Sequence, residues 1–261
     1  MSADAAALDI PIASREPEVR RPGLGRLTLV ELRKMVDTRA GFWLQLATFG
    51  LAVVVVVIIC AVGKAQDQTF RALLEAAIAP AGVLLPIMGI LLVSSEFSQR
   101  TAPITFALVP RRMRVLTAKL LAGVVLSLIG LAVALPIAAI GTAISAPDVA
   151  HAWSLPVGLL GQMALSLATG VITGVAFGAA LLSSAPAIVL SFVLPIAWAA
   201  LAAIPGIHGV ARWLDATQSL APMTSHLMDA TEWARAGTTL ALWMILPLLI
   251  GAWRIARREI T

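Results

Sequence analysis

EFSQRTAPITFALVPRRMRVLTAK, Glu96 to Lys119, is the stretch whose reading decides the fold. It carries Arg100, Arg111, Arg112, Arg114 and Lys119, too many charges for hydrocarbon, and it follows a run, Ala77 to Ser94, too apolar for water. A loop on one face of a membrane suits both. Lys and Arg of short loops are retained on the cytoplasmic side. The loop, residues 95–119 at its widest, is therefore expected to face the cytoplasm and to orient everything that flanks it.

Working outward, the rest of the chain divides into apolar runs and short polar joints. Hydrophobic residues make up 59% of it and charged residues only 13%, with a mean hydropathy of +0.93, which excludes an ordinary globular protein. About 20 apolar residues in a helix cross a hydrocarbon layer roughly 30 Å thick. On that measure six spans are expected, over about 42–62, 77–94, 120–140, 155–182, 185–204 and 238–253, in an all-α polytopic membrane protein. Ahead of the first span, Leu24 to Gly41 has a loosely helical amphipathic period, with Leu27, Val30, Leu32 and Met35 to one side and Arg26, Glu31, Lys34 and Asp37 around the other. It predicts an interfacial helix over 24–41. Residues 1–23, rich in Ala, Pro and Arg, read as a disordered cytoplasmic tail, and 24–261 as a single membrane domain.

Six spans leave both termini on one side, and charge tests that topology. With the termini and the 95–119 loop inside, fifteen of the 19 Lys and Arg are cytoplasmic, and only Lys64, Arg71, Arg212 and Arg235 are outside. No span has a charged residue at its centre, which disfavours a proton pump or ion channel built on buried carboxylates. The fourth run places Ser166, Gly170, Gly174 and Gly178 at spacing four, a nearly bare face on which another helix, expected within the same chain, can pack closely. The outer segment 206–235 is expected to form two short helices broken at Pro222, with Trp213 and Trp233 as candidates for an outer gate.

Several chemistries are absent from the pattern. There is no GxxxxGK[ST] loop, so the chain is not itself a P-loop ATPase. No span holds a His, and no helical HExxH occurs, so catalysis is not expected. The three histidines, His151, His208 and His226, are scattered through outer segments, and no metal site is expected. Cys60 is the single cysteine, which excludes an intrachain disulfide. Despite a net charge of +5, the basic residues cluster at the ends of apolar runs rather than on one face, so no nucleic-acid partner is expected.

Three stretches together resemble the permease subunits of ABC transporters of the type 2 export class, in the compact six-span form common in actinobacteria. They are VELRKMVDTRAGFWL (Val30 to Leu44), SEFSQRTAPITFALVPRRMRVLTAK (Ser95 to Lys119) and ALWMILPLLIGAWRIARREI (Ala241 to Ile260). One departure is Arg100-Thr101, where that family more often has Gly-Thr. The resemblance implies an elbow helix, a bacterial plasma membrane location, a second permease chain as homodimer or heterodimer, and two separate ATPase subunits that bind ATP and Mg; the chain itself carries no cofactor. It also implies that the 95–119 loop couples to the ATPase, with Glu31, Arg33, Lys34, Glu96, Arg100, Thr101, Phe106, Arg111, Arg112, Arg114 and Lys119 as coupling residues. A short helix over 102–108 would dock, and the Glu31, Arg33 and Lys34 side of the elbow would pair with Glu96 or Arg100. The implied function is export of a hydrophobic or amphiphilic compound. A non-transporting membrane partner for sensing or immunity, and a passive channel or scaffold, are the alternatives.

Overall fold

A computed structural model describes residues 23–64, 68–99, 111–145, 151–202, 204 and 208–257. The described residues are helical, with no strand, and six helices are long and apolar enough to cross a membrane. Helix α1, Leu24–Asp37, is built from good helix formers and ends where Thr38 turns extended (ψ 146°). The Thr38 hydroxyl then accepts a hydrogen bond from the Gly41 N–H, 3.1 Å away, and caps α2, Arg39–Val62. The chain therefore bends at Thr38, a few residues before the 41/42 boundary expected from hydropathy. Position 41 must be glycine because a Cβ there would overlap the Met35 carbonyl. At the far end of α2, buried Gln68 donates to the carbonyls of Ile59, Cys60 and Gly63, joining the Gly63 N–H that already bonds the Ile59 oxygen, and so closes the last turn of the helix.

Helix α3 is Phe70–Ser98 and α4 is Arg112–Ser145, 29 and 34 residues. At about 1.5 Å per residue they are roughly 44 and 51 Å long, well beyond the hydrocarbon layer. Both extend past the expected spans because hydropathy finds where a helix stops being apolar, and polar ends can stay helical. Lys119 consequently lies two turns inside α4, where a loop position was expected. Helices α5, Val157–Leu181, and α6, Ser184–Ala202, are joined by a tight turn with Leu182 at φ 55°.

At the end of the bundle away from α1 the chain forms a crown of short helices: α7, His208–Ala211, followed by a 3₁₀ turn at Arg212–Leu214, then α8, Ala216–Leu220, and α9, Pro222–Ser225. More pieces form than the two expected, because Asp215 starts a new helix: its Oδ1 accepts from the Thr217 and Gln218 N–H groups. The last span, α10, Ala230–Arg257, opens with a capping box between Asp229 and Glu232 and carries a π turn at Ala241–Ile245.

Helices α3 and α5 form the centre. A Cβ at Gly174 would overlap the Pro86 carbonyl, one at Gly178 would lie 2.8 Å from the Ile90 oxygen, and one at Gly89 would lie 2.5 Å from the Val171 oxygen. Gly170 is in ordinary contact with Pro86 and Ser166 is half-buried. The small-residue face thus meets a helix of the same chain. Across α5, Gly251 of α10 abuts Ala179. Helices α2 and α6 lie outside this core, with 17% and 11% of their apolar stretches buried against 50% and 56% for α3 and α5.

Candidate functional site

On α1, Glu31 and Lys34 are one turn apart and share a face. Glu96 lies in the last turns of α3, and Lys119 near the start of α4 points back towards it. The four side chains meet in one buried cluster. Lys119 Nζ lies 2.6 Å from Glu31 Oε2, 2.9 Å from Glu96 Oε1 and 3.0 Å from the Leu92 carbonyl oxygen. Lys34 Nζ lies 2.7 Å from Glu31 Oε1 and 2.8 Å from Glu96 Oε1. Glu31, Glu96 and Lys119 are no more than 6% exposed, whereas the Lys34 side chain is 38% exposed.

Two carboxylates and two ammoniums make the cluster neutral, which is what permits it at this depth, since a buried charge must be paired. All three Lys119 N–H donors have an acceptor. Burial pulls the Lys34 pKa down, but the hydrogen bonds the ammonium donates to Glu31 and Glu96, and its attraction to their charges, outweigh it and hold it above the usual lysine range. The result is a fixed joint: α1 cannot rotate or slide against the ends of α3 and α4 without parting an ammonium from a carboxylate.

No protein-family model matches the chain. No curated protein matches it either. The geometry therefore stands on its own.

Of the coupling residues expected from sequence, the cluster unites Glu31, Lys34, Glu96 and Lys119. The Lys34–Glu96 contact is the pairing expected between the two segments, and Lys119, expected in the loop, joins it from inside α4. Arg33 is exposed on α1 and Arg111 is exposed just before α4. Arg112 instead donates to the Ile255 carbonyl at 2.9 Å, tying α4 to the end of α10, and half-buried Arg114 also has a partner. Arg254 donates to the Ala180 carbonyl, a further stitch at this end. Arg100, Thr101 and Phe106, with the short helix expected over 102–108, lie outside the described residues.

In the crown, Trp213 and Trp233 are 38% and 40% exposed and make no ring contact with each other. Arg235 lies 5.7 Å from the Trp213 ring centroid, and the Trp213 carbonyl accepts from the Thr238 and Thr239 hydroxyls. Three side chains of the spans, Gln162, Trp198 and Trp243, hold the crown down, a role that sequence reading did not single out. Gln162 of α5 donates to the His226 carbonyl (2.9 Å) and accepts from the Met228 N–H (3.2 Å). Trp198 and Trp243, edge to face at 6.4 Å, donate to the carbonyls of Ala211 and Leu214. Asp215, 1% exposed, caps α8. An amide or indole inside an apolar run was the available signal, since such a group needs a partner within the protein. His226 pairs with Glu232 (2.9 Å), and the described residues hold no group of three metal-ligating side chains.

Proposed function

We propose that the chain is the membrane-spanning permease subunit of an ATP-driven ABC exporter of the type 2 class. It moves a hydrophobic or amphiphilic compound out of the cytoplasm of a bacterium, beside a second permease chain, with ATP and Mg held by two copies of a separate ATPase subunit. The observation that carries this reading is the Glu31–Lys34–Glu96–Lys119 cluster, because it fastens α1 to both helices that flank residues 100–110. A partner pushing on that connection moves α1, α3 and α4 as one body, and the Gly174 and Gly178 contacts pass the movement to α5. The exposed Arg111, at the base of α4, offers a cation to an acidic ATPase surface. The absence of charge from the middle of the spans suits an apolar cargo.

The test is a pull-down from detergent-solubilised membranes with the native chain and with Arg111→Glu. Arg112 is left in place because its reversal also breaks the Ile255 contact. An ATP-binding subunit that co-purifies with the native chain and is lost with Arg111→Glu supports the reading, and ATP-dependent uptake by inverted vesicles separates transport from sensing. No ATPase with the native chain overturns it.

A further inference from the structure

The last turns of α10 present a face that the bundle does not cover. Leu246, Leu249, Ile250, Trp253 and Arg257 recur at spacings of three and four, so they form one stripe about 16 Å long. Its four apolar members are 45–62% exposed, whereas Gly251 and Ile255, on the opposite side of the helix, are buried in the bundle. The stripe therefore runs through hydrocarbon and ends in a cation. Arg257 is exposed, with its guanidinium carbon 5.0 Å from the Trp253 ring centroid, and an indole in this position suits the headgroup layer.

Positive charge at this end of α10 lacks a counter-charge. The bond from Arg112 to the Ile255 carbonyl sets the start of α4 beside it, and residues 111–118 and 246–257 together hold five arginines and no Asp or Glu. The next two residues, Arg258 and Glu259, add no net charge. Helix α5, against which α10 packs, has no charged residue, and Glu96, the one acid in the last turns of α3, is bonded by Lys34 and Lys119. Unlike the neutral lysine–glutamate cluster, this patch attracts anions, by about fivefold in affinity for each arginine near a bilayer surface. We propose that the stripe seats one anionic phospholipid of the adjoining leaflet, with an acyl chain along Leu246, Leu249 and Ile250 and its phosphate on Arg257. Arg257 continues a hydrocarbon-facing stripe, which fits a lipid there, whereas Arg111 precedes α4 and is left for a protein surface. The site does not depend on the transport reading, and stands if no ATPase partner is found.

The test titrates the full chain in a non-ionic detergent with phosphatidylglycerol and with phosphatidylcholine of the same chains, read by native mass spectrometry. Phosphatidylglycerol is expected to bind at least about fivefold more tightly, and millimolar inorganic phosphate not to displace it. Arg257→Gln, at an exposed position that folding does not require, should weaken phosphatidylglycerol about fivefold and narrow its lead over phosphatidylcholine. Arg71→Gln removes an exposed cation at the other end of the bundle and should change neither. Equal affinity for the two lipids, displacement by inorganic phosphate, native affinity in Arg257→Gln, or an equal loss in Arg71→Gln would each overturn the proposal. So would Arg257→Gln releasing an ATPase subunit while keeping the lipid, which would give the residue to a protein partner.

Discussion

Replacing Lys119 by Met removes the ammonium on which the cluster depends. The residue is 3% exposed and bonds two carboxylates, at 2.6 and 2.9 Å. With it gone, Glu31 and Glu96 share Lys34 alone, and one net negative charge stays buried. Hydrogen bonds to charged groups contribute about 1.5–3 kcal/mol each, so two amount to roughly 3–6, and breaking a buried pair by removing one partner costs about 3–5 kcal/mol. A loss of about 4 kcal/mol is therefore expected for Lys119→Met. Most of that is the penalty of the stranded carboxylate, so Glu31→Gln in the same chain should recover about 2 kcal/mol by leaving Lys34 and Glu96 as a neutral pair. The assay is equilibrium unfolding in mixed micelles by titration with an anionic detergent, followed by circular dichroism. A single variant within about 1 kcal/mol of native, or a double variant as unstable as the single, would refute the reasoning.

Three further outcomes are expected, two elsewhere in the molecule and one at Lys34 of the same cluster. Gly174→Ala puts a methyl group into the Pro86 carbonyl and forces α3 and α5 apart; a loss of about 1–3 kcal/mol or more is expected in the same titration, with a smaller loss for Gly170→Ala, whose neighbour is only in van der Waals contact. Asp215→Ala removes the cap of α8 and should cost about 1–2 kcal/mol, visible as faster proteolysis of the crown while the spans persist. The Lys34 ammonium is held above the usual lysine range, so its contribution is complete below about pH 10.4 and is lost as pH rises through its folded value. The stability difference between native and Lys34→Gln should hold constant from pH 7 to about pH 10 and shrink only above that.

Hydropathy was enough to place six helices, and spacing was enough to find the face on which α5 meets α3, because both depend on local pattern. Lys119 was misplaced for a physical reason. A lysine at the edge of an apolar run reads as the start of a loop, and only the two carboxylates brought from 23 and 88 residues away make it an interior helical residue. A break between the interfacial helix and the first span was legible, but its place at Thr38 rather than at 41/42 was not, since that depends on how closely Gly41 approaches Met35 and not on any change in polarity. Gln162 carried a signal, an amide in an apolar run, but its partners are 64 and 66 residues on, and nothing in the sequence names them.

The π turn at Ala241–Ile245 acts as a one-residue phase shift. An α-helix advances about 100° per residue, so the segment before the turn faces a direction that an uninterrupted helix would have assigned one position away. That offset lets a single continuous span meet two unrelated surfaces, with Thr238 and Thr239 aimed at the Trp213 carbonyl and Gly251 seated on Ala179. Deleting any one residue within the turn would restore regular winding and leave the span equally apolar, yet turn its two ends against each other by about a quarter revolution. Chain length at this point is therefore as strict a requirement as side-chain identity is elsewhere.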